Sequence, residues 1–331
     1  MIDPKRGLEI VVRLAPAKLN LTLAIVGRRP DGHHALHSVM VPLALADRLS
    51  LAPASGRADT LHIAGLDTGP AEDNLVPRAI AATRAAVGAG WVGPSGPPPA
   101  LAARLEKRIP VAAGLAGGSS DAAAAIDGAL EAWGADLAPA ERLAVALRLG
   151  SDVPFFLAGG PALVEGRGEA VTPLEGVRGE SPGVLLVTPA VAVRTAAVFD
   201  AFASGIRPTA AGASRATSEH LAAELRTGLT ARALVDRGAV LAAANDLLPA
   251  TIALVPGLVA FRRALARLAG RPVGQSGSGP TCFVLYPSLD AAIAAADAVR
   301  AAAREGWLPR LGEADPVVEA TTILGAVPAA R

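Results

Sequence analysis

The stretch of this chain that points most clearly to chemistry runs from Pro110 to Ala124 and reads PVAAGLAGGSSDAAA. Gly114, Gly117 and Gly118 have no Cβ, so the backbone there can curl until several N–H groups point at one centre. The alanines at the end of the stretch predict a strong helix. A glycine-rich turn that leads into a helix N-terminus is typical of a phosphate-binding site.

Two serines stand where this helix is expected to begin. Ser119 and Ser120 both suit a helix cap, and Ser120 is also a candidate ligand of phosphate or Mg²⁺. The loop is not of the Walker type, since no Gly-Lys-Ser/Thr sequence closes it. A tight loop that packs a small-residue helix against a sheet would have the same composition, so the loop alone only favours phosphate binding.

Lysine is rare in this chain, where nearly all basic residues are arginine and only Lys5, Lys18 and Lys107 are lysine. An interior lysine in such a chain suggests that a compact ammonium group is needed. Lys18 shares one face of a predicted strand with Asn20 and Thr22. Lys107 lies on the apolar face of the strand that leads into the glycine loop, whereas Lys5 near the terminus is expected to have no special role.

Further polar residues stand at predicted turns. Pro30-Asp31-Gly32 predicts a turn that His33 and His34 follow directly, and residues 274–279 form a second glycine-rich turn. Asp152 comes after a helix-ending glycine and before Val-Pro, where aspartate is commonly a cap or turn residue. Taken alone, Asp152 therefore indicates no chemistry.

The composition predicts a cytoplasmic globular protein. The 331 residues are enough for two domains, and 51% of them are apolar. The formal net charge of +1, from 31 basic and 30 acidic residues, disfavours nonspecific attraction to nucleic acid or a membrane surface. The single cysteine, Cys282, excludes an internal disulfide and a cysteine-cluster metal site. We find no signal peptide and no apolar run of the length that crosses a membrane.

The elements that must position these residues follow from periodicity and turn signals. Sequential strands and helices with few clean βαβ periods favour an α+β fold. We expect a mobile loop around residues 204–217 and a domain boundary within the polar segment 175–182. The expected elements are strands at 8–25, 39–45, 61–63, 101–109, 184–187, 282–286 and 317–324, strand-like segments from 155 to 174, and helices at 74–88, 119–133, 139–149 and 289–304.

Three segments together resemble the motifs of the GHMP small-molecule kinases. They are Ala15 to Leu21 (APAKLNL), the loop from Pro110 to Asp121, and Gly277 to Cys282 (GSGPTC). Two further segments, Gly27 to His34 (GRRPDGHH) and Leu149 to Phe156 (LGSDVPFF), narrow the resemblance to one branch. That branch phosphorylates a cytidine-diphosphate-linked methylerythritol on the methylerythritol-phosphate route to isoprenoids. The match spans nearly the whole chain, and the combination is specific although each glycine motif alone is not.

The resemblance implies an α+β, two-domain GHMP kinase fold. Residues 1–177 would form an N-terminal α/β domain like that of a small-subunit ribosomal protein, and residues 178–331 a C-terminal ferredoxin-like domain. ATP would lie along the glycine loop with Mg²⁺, and the substrate would lie in the cleft between the domains. The partners implied are ATP and a small molecule, with no nucleic acid and no membrane, and the chain is expected to be a monomer or a weak dimer.

The resemblance also implies residue roles for transfer of the γ-phosphoryl group to the 2-hydroxyl of the methylerythritol unit. Asp152 matches the catalytic aspartate that accepts the hydroxyl proton, and Lys18 matches the lysine that holds the hydroxyl and keeps that aspartate ionised. The residues expected at ATP are Asn74 and Lys107, which match positions near the adenine, and Pro110, Gly114, Leu115, Ala116, Gly117, Gly118, Ser119 and Ser120. Asn74 suits a helix cap equally well, and alanine at 113 and 116, where relatives often have glycine, is expected to leave the loop intact.

The remaining matched residues are expected at the substrate. Asn20 would bond the sugar alcohol, and His34 would read the edge of cytosine. His33 stands where the family usually has a stacking tyrosine, and a smaller ring offers less area for stacking. The other expected substrate residues are Thr195 and Phe199 at the cytidine, and Gly277, Ser278 and Gly279 at the methylerythritol-phosphate end, while Asn245 and Asp246 are expected to be structural.

Two other functions are compatible with parts of the pattern. Another GHMP enzyme, of the homoserine or mevalonate kinase type, would not need the two histidines after the turn or the Thr195 to Phe199 segment, since its substrate has no nucleobase. A noncatalytic nucleotide- or RNA-binding module of the same fold is allowed by the fold alone. The balanced charge and the presence of both Lys18 and Asp152 disfavour that module.

Overall fold

The computed structural model describes residues 10–70, 73–88, 97–210 and 212–325. The predicted strand residues 8 and 9 and most of the predicted loop at 90–99 lie outside these ranges. The strands are β1 (Val11–Asn20), β2 (Ala24–Arg28), β3 (His34–Pro53), β4 (Thr60–Gly65), β5 (Leu101–Lys107), β6 (Ala162–Gly166), β7 (Ala170–Pro173), β8 (Val177–Arg178), β9 (Gly183–Thr188), β10 (Leu229–Thr230), β11 (Gly274–Gln275), β12 (Cys282–Tyr286) and β13 (Val317–Thr322). The helices are α1 (Leu75–Gly88), α2 (Gly117–Trp133), α3 (Pro139–Leu149), α4 (Val153–Ala158), α5 (Thr195–Ala203), α6 (Ala213–Thr227), α7 (Ala231–Asp236), α8 (Gly238–Ala243), α9 (Leu248–Leu254), α10 (Leu258–Ala269) and α11 (Leu289–Arg304).

The chain divides by its internal contacts into two compact units, neither of which is continuous in sequence. The glycine loop contributes residues to both units. The predicted boundary between residues 177 and 178 concerns the two family domains and stays a prediction. The first unit comprises 1–17, 46–111 and 116–157, and the second unit comprises 18–45, 112–115 and 158–331.

In the first unit, a small sheet supports a layer of helices. β4 is parallel to β5, and β5 is antiparallel to residues 48–53 of β3. Along β5 the buried side chains alternate, and Lys107 is buried on the same side as Leu101 and Leu105, as the sequence predicts. α1, α2 and α3 pack together, and the small side chains of α2 allow close approach to the aliphatic core.

The predicted bounds of α2 and α3 are confirmed at their C-terminal ends. Gly134 adopts the left-handed conformation that closes α2, and its N–H group donates to the carbonyls of Leu130 and Glu131. α3 begins at Pro139, where the missing N–H costs no helical hydrogen bond. The expectation of strand-like structure from residue 155 is wrong for 155–158, because these residues belong to α4. Pro154 is tolerated there because it lies in the first turn.

In the second unit, β2 and β6 each pair antiparallel with β3, and β7 pairs with β6. A separate antiparallel sheet has the order β11-β12-β9-β13, and α10 and α11 pack with its core. With α10 and α11, the strands β9, β11, β12 and β13 follow the βαββαβ order of a ferredoxin-like unit, as expected. The expectation of a loop at 204–217 is wrong for its last part, because α6 begins at Ala213.

Within the described ranges, no single helix combines the length and apolar composition needed to cross a membrane. The bent pair α9 and α10, which meet at 118°, passes that test by length and composition when the two are taken together.

Candidate active site

The glycine loop ends where α2 begins, and the structure shifts this start relative to the prediction. Ala116 precedes the helix in the left-handed conformation, at φ 54° and ψ 33°, and makes no side-chain cap. The helix already begins at Gly117, so the prediction that Ser119 or Ser120 caps it is wrong. A left-handed alanine costs about 1–2 kcal/mol, so Ala116 holds local backbone strain directly before the helix.

The start of α2 has the properties of an anion site. The first N–H groups of a helix have no acceptor within the helix and carry its positive dipole end. Gly117 is buried, whereas Gly118 is exposed and Ser119 is half-buried. Ser120 is only 1% exposed, and its hydroxyl has no hydrogen-bond partner in the described part of the chain. A buried hydroxyl without a partner is costly unless a ligand satisfies it.

The orphaned Ser120 hydroxyl gives a test for Mg²⁺. The described residues contain no group of three His, Cys, Asp or Glu side chains able to hold a metal. Mg²⁺ typically takes one or two protein oxygens and completes its octahedron with water and substrate phosphates. A single serine oxygen at a helix start with the properties of an anion site therefore fits this ion, and a cage built from protein ligands alone does not.

Lys107 is the centre of a buried ionic cluster in the first unit. Its ammonium group pairs with the carboxylates of Asp47 and Asp121, at 2.7 Å from the latter. All three side chains are at most 2% exposed. Asp47 also accepts hydrogen bonds from the backbone N–H groups of Arg108 and Ile109. The cluster therefore ties β3 and the end of β5 to the first turns of α2.

Burial raises the pKa of Asp121 to about 7. The negative charge of Asp47 acts in the same direction, while the Lys107 ammonium opposes the shift. One oxygen of Asp121 accepts from Lys107, and the other has no partner among the described residues. Sequence reasoning missed Asp47 and Asp121, although an acid inside the apolar run LALADRLSL was a usable signal for Asp47.

Two further residues expected to be functional lie in the first unit at helix ends. Asn74 is half-buried, and its side-chain oxygen accepts from the N–H of Val76 at 2.9 Å, which is the capping geometry that the sequence left open. Asp152 is half-buried in the turn between α3 and α4. Among the described residues, no N–H group from the first turn of α4 donates to the Asp152 carboxylate, so a capping role has no support.

Lys18 and Asn20 lie in the second unit at the end of β1. The predicted strand at 8–25 is interrupted at residues 21–23. Both side chains are nearly inaccessible, at 3% and 2% exposure, and the Lys18 ammonium donates to the Asn20 side-chain oxygen and to the Gly114 carbonyl. The Asn20 amide donates to Ser38 Oγ at 2.8 Å. These bonds hold an ammonium and an amide in fixed directions without solvent screening.

Gly114 is the point where the glycine loop meets the third motif. It has φ 79°, and a Cβ there would lie 2.3 Å from the Ser276 carbonyl oxygen. Ser276 Oγ donates to the Gly114 carbonyl and accepts from the N–H of Asn20. Leu115 is buried, and its carbonyl accepts from the Lys18 N–H at 3.0 Å. Only glycine fits this approach, which fixes one acceptor of the Lys18 ammonium.

The turn formed by Gly277, Ser278 and Gly279 is buried and held from behind by two side chains. The Asn245 amide donates to the carbonyls of Gln275 and Gly277 at 3.0 and 2.9 Å. Thr251 Oγ1 donates to the Ser278 carbonyl. Asn245 was expected to be structural, and its contacts agree with that role. Ser276 and Thr251, which support the same turn, were missed by sequence reasoning.

The two neighbouring histidines have different surroundings. The His34 ring stacks on Phe199, with centroids 5.3 Å apart and planes at 25°, and meets Phe202 edge-on. Burial lowers the pKa of His34, and the positive charges of Arg28 and Arg207 lower it further. His33 is exposed, and its ring lies 3.5 Å from an Asp31 oxygen. Thr195 is exposed at the start of α5, with its hydroxyl 3.0 Å from that of Ser278.

The structure thus groups the candidate residues within each unit. The half-buried Pro110 and the segment from Ala116 to Ser120 lie in the first unit with Asp152. Lys18, Asn20 and the buried turn at 277–279 lie in the second unit with the His34 and Phe199 stack.

Two family models match this chain, one in each half. The model of the GHMP kinases N terminal domain matches residues 74–160, and the model of the GHMP kinases C terminal domain matches residues 222–305. The expected two-domain GHMP fold is thereby confirmed. A solved homoserine kinase from Cytophaga hutchinsonii, which is 19% identical, has a TM-score of 0.65 over 98% of this chain and 97% of its own and shares the fold alone.

Three proteins with higher sequence identity to this chain than the homoserine kinase are kinases of one and the same substrate. A 4-diphosphocytidyl-2-C-methyl-D-erythritol kinase of Pelotomaculum thermopropionicum is 39% identical over 86% of this chain and 91% of its own. The enzyme of that name from Deinococcus radiodurans is 40% identical over 88% and 89%. A solved 4-(cytidine 5'-diphospho)-2C-methyl-D-erythritol kinase is 33% identical, with a TM-score of 0.67 over 95% of this chain and 100% of its own. The chain therefore belongs to the 4-diphosphocytidyl-2-C-methyl-D-erythritol kinase family of the GHMP kinases.

Proposed function

We propose that this protein transfers the γ-phosphoryl group of ATP to the 2-hydroxyl of 4-diphosphocytidyl-2-C-methyl-D-erythritol. Membership in a kinase family implies ATP as the cosubstrate, and the curated relatives carry the name of this reaction. The observation that carries the proposal at the site is the buried Lys18 ammonium, which is oriented by Asn20 and by the Gly114 carbonyl of the glycine loop.

The phosphates of ATP bind at the start of α2. The N–H groups of Gly117, Gly118 and Ser119 supply donors, and the helix dipole favours the negative charge. Ser120 supplies an oxygen to Mg²⁺, and the ion neutralises charge on the phosphate oxygens when bound. Lys107 stabilises this region through its ion pairs with Asp47 and with Asp121 of α2. This structural role differs from the adenine contact that the family resemblance implies.

In the transfer step, Lys18 holds the acceptor hydroxyl and Asp152 accepts its proton. The hydroxyl oxygen forms a bond to the γ-phosphorus, and the bond from that phosphorus to the β,γ-bridging oxygen breaks. ADP leaves with the bonding electron pair, and the proton remains on Asp152 until solvent removes it. Phosphoryl transfer needs mainly this positioning and charge neutralisation, since little covalent chemistry falls to the protein.

The other end of the substrate binds at the aromatic cluster of the second unit. His34 and Phe199 contact the cytosine, and the low pKa of His34 keeps its imidazole neutral, able to donate with one nitrogen and accept with the other. Asn20 bonds the sugar alcohol, and the turn at 277–279 contacts the methylerythritol phosphate. The proposal also includes a cytoplasmic location and a monomer or weak dimer. It includes no nucleic-acid or membrane partner, and the net charge of +1 supports this last point.

The test is a coupled assay of ADP release with Mg²⁺ and three acceptors in parallel: the cytidylated methylerythritol, homoserine and mevalonate. We expect turnover with the cytidylated acceptor only. Turnover with homoserine or mevalonate instead would assign a different GHMP reaction, and folded protein that releases no ADP with any acceptor would refute the proposal.

The role of Asp152 is tested separately with Asp152→Asn, which keeps the shape and removes the charge. We expect ATP binding to persist and kcat to fall about 10²-fold or more, because base and charge are lost together. Asp136→Asn, on another aspartate of the first unit, serves as the control. Near wild-type kcat in Asp152→Asn would return Asp152 to a turn residue.

A further inference from the structure

Two arginines that have no carboxylate partner among the described residues flank the aromatic cluster of the second unit. Arg28 on β2 is the direct cross-strand neighbour of His34 on β3, so the two side chains lie on the same face of the sheet. The Arg207 guanidinium lies over Phe202, 5.2 Å from the ring centroid, and the same ring meets His34 edge-on. The two guanidinium groups thus belong to the surroundings of one imidazole.

The charge around this imidazole is positive. The charged and titratable groups that act on His34 are Arg28, Arg207 and His33, which lower its pKa, and Asp200, which raises it. Within the described ranges, neither Arg28 nor Arg207 forms an ion pair, whereas the adjacent Arg29 pairs with Asp31 and Glu169. Both arginines are exposed, so their donors are accessible to a ligand.

A flat apolar surface beside two accessible guanidinium groups matches the two halves of a nucleoside diphosphate. The base stacks on aromatic rings, and the guanidinium group binds phosphate oxygens with two parallel hydrogen bonds. A nucleoside lacking phosphate would use the rings and leave both cations without a counter-charge. The cluster therefore has more binding capacity than a nucleobase alone requires.

We propose that Arg28 and Arg207 bind the diphosphate of the substrate and make this site selective for a nucleoside diphosphate over the nucleoside. The proposal rests on the proposed function, since it concerns the cytidine end of that substrate. It adds two specificity-determining residues to those that the family resemblance implies. Because both arginines are assigned to the cytidine end of the substrate, we expect them to contribute to substrate KM and to leave the KM for ATP unchanged.

The experiment is calorimetric titration with cytidine, CMP and CDP, in saturating ADP so that the ATP site is filled. The variants are Arg28→Gln and Arg207→Gln, with Arg263→Gln, an exposed arginine on α10, as the control. We expect wild-type protein to bind CDP more tightly than cytidine. Each arginine variant loses about tenfold in CDP affinity, the size of one charge-assisted hydrogen bond, and keeps its cytidine affinity.

A second readout is the pKa of His34, followed by NMR. Phosphate groups bound at Arg28 and Arg207 offset the positive charge of these two arginines, so we expect CDP to raise the pKa of His34. Cytidine has no phosphate, so Arg28 and Arg207 should still lower the pKa of His34 when cytidine is bound. The two single variants raise it without ligand. Equal wild-type affinities for CDP and cytidine, or equal losses of CDP affinity in the Arg263 control, would overturn the proposal.

The two proposals fail independently. Absence of kinase turnover, with an arginine-dependent preference for CDP still present, would refute the reaction and leave the diphosphate site standing. Turnover of the cytidylated substrate with unchanged KM in Arg28→Gln and Arg207→Gln would refute the diphosphate site and leave the reaction standing.

Discussion

Replacing Lys107 by methionine distinguishes a buried structural cation from a nucleotide contact. Methionine keeps an unbranched side chain of similar length and removes the ammonium group. The carboxylates of Asp47 and Asp121 are then left without their cation, at 0% and 2% side-chain exposure. Asp47 keeps its two backbone donors, whereas Asp121 loses Lys107, its one hydrogen-bond donor among the described residues.

Removing one partner of a buried ion pair typically costs about 3–5 kcal/mol, because an uncompensated charge remains. We expect a loss of this size at pH 8, which corresponds to a fall in Tm on the order of 10 °C. The Lys107 ammonium opposes the rise in the pKa of Asp121, so without it the folded-state pKa of Asp121 rises further. The stability that a carboxyl with a raised folded-state pKa contributes is present at low pH and is lost as the pH rises from its unfolded pKa to that raised value, so the deficit shrinks at pH 5.

The assay is thermal unfolding followed by circular dichroism at pH 5 and pH 8, together with the KM for ATP. Arg108→Met is the matched control, since Arg108 is exposed and its backbone N–H, which binds Asp47, is unchanged by the substitution. That control should stay within about 0.5 kcal/mol of wild type. Adding Asp121→Asn to Lys107→Met should recover part of the lost stability at pH 8.

One result would refute this reasoning. If Lys107→Met unfolds at the wild-type temperature at both pH values and raises the KM for ATP, then Lys107 contacts the nucleotide. The adenine contact that the family resemblance implies would then be correct, and the ion pairs of the buried cluster would not stabilise the fold.

Three further outcomes are expected. In urea unfolding, Asp121→Asn gains stability over wild type as the pH rises from about 4 to about 7, by up to about 1.4 kcal/mol per pH unit. In that range the carboxyl is ionised in the unfolded chain, while burial raises the folded-state pKa of Asp121 to about 7. Above pH 7 the gap stays constant, and a gap that does not widen between pH 4 and pH 7 contradicts this. Gly114→Ala should lose more stability than Gly134→Ala, because a Cβ at Gly114 would clash with Ser276. Gly134 also has a positive φ, but a Cβ there meets open space, so Gly134→Ala should lose only about 1–2 kcal/mol. Equal losses in the two variants would exclude the clash with Ser276. For His33, calorimetry should show that tyrosine preserves or tightens substrate binding and that alanine weakens it by about 1–3 kcal/mol, whereas equal affinities would remove His33 from the site.

Local patterns in the sequence determined a large part of this protein. The α2 and α11 helices, the alternation that buries Lys107 on β5, and the combination of three motifs depend on side-chain type, glycine freedom and spacing along the chain. These properties act between near neighbours, so a single sequence carries them. For the same reason, the kinase family could be assigned before any contact was known.

Only the tertiary structure decided which distant groups meet. Asp47 and Asp121 neutralise Lys107 across 60 and 14 residues of chain, and Asn20 and Ser276 meet across 256. The left-handed Ala116 and the clash that a side chain at Gly114 would have with Ser276 arise from packing, which overrides residue preference. Burial, which raises the pKa of Asp121 and lowers that of His34, depends on the whole fold, so no local pattern could have predicted these shifts.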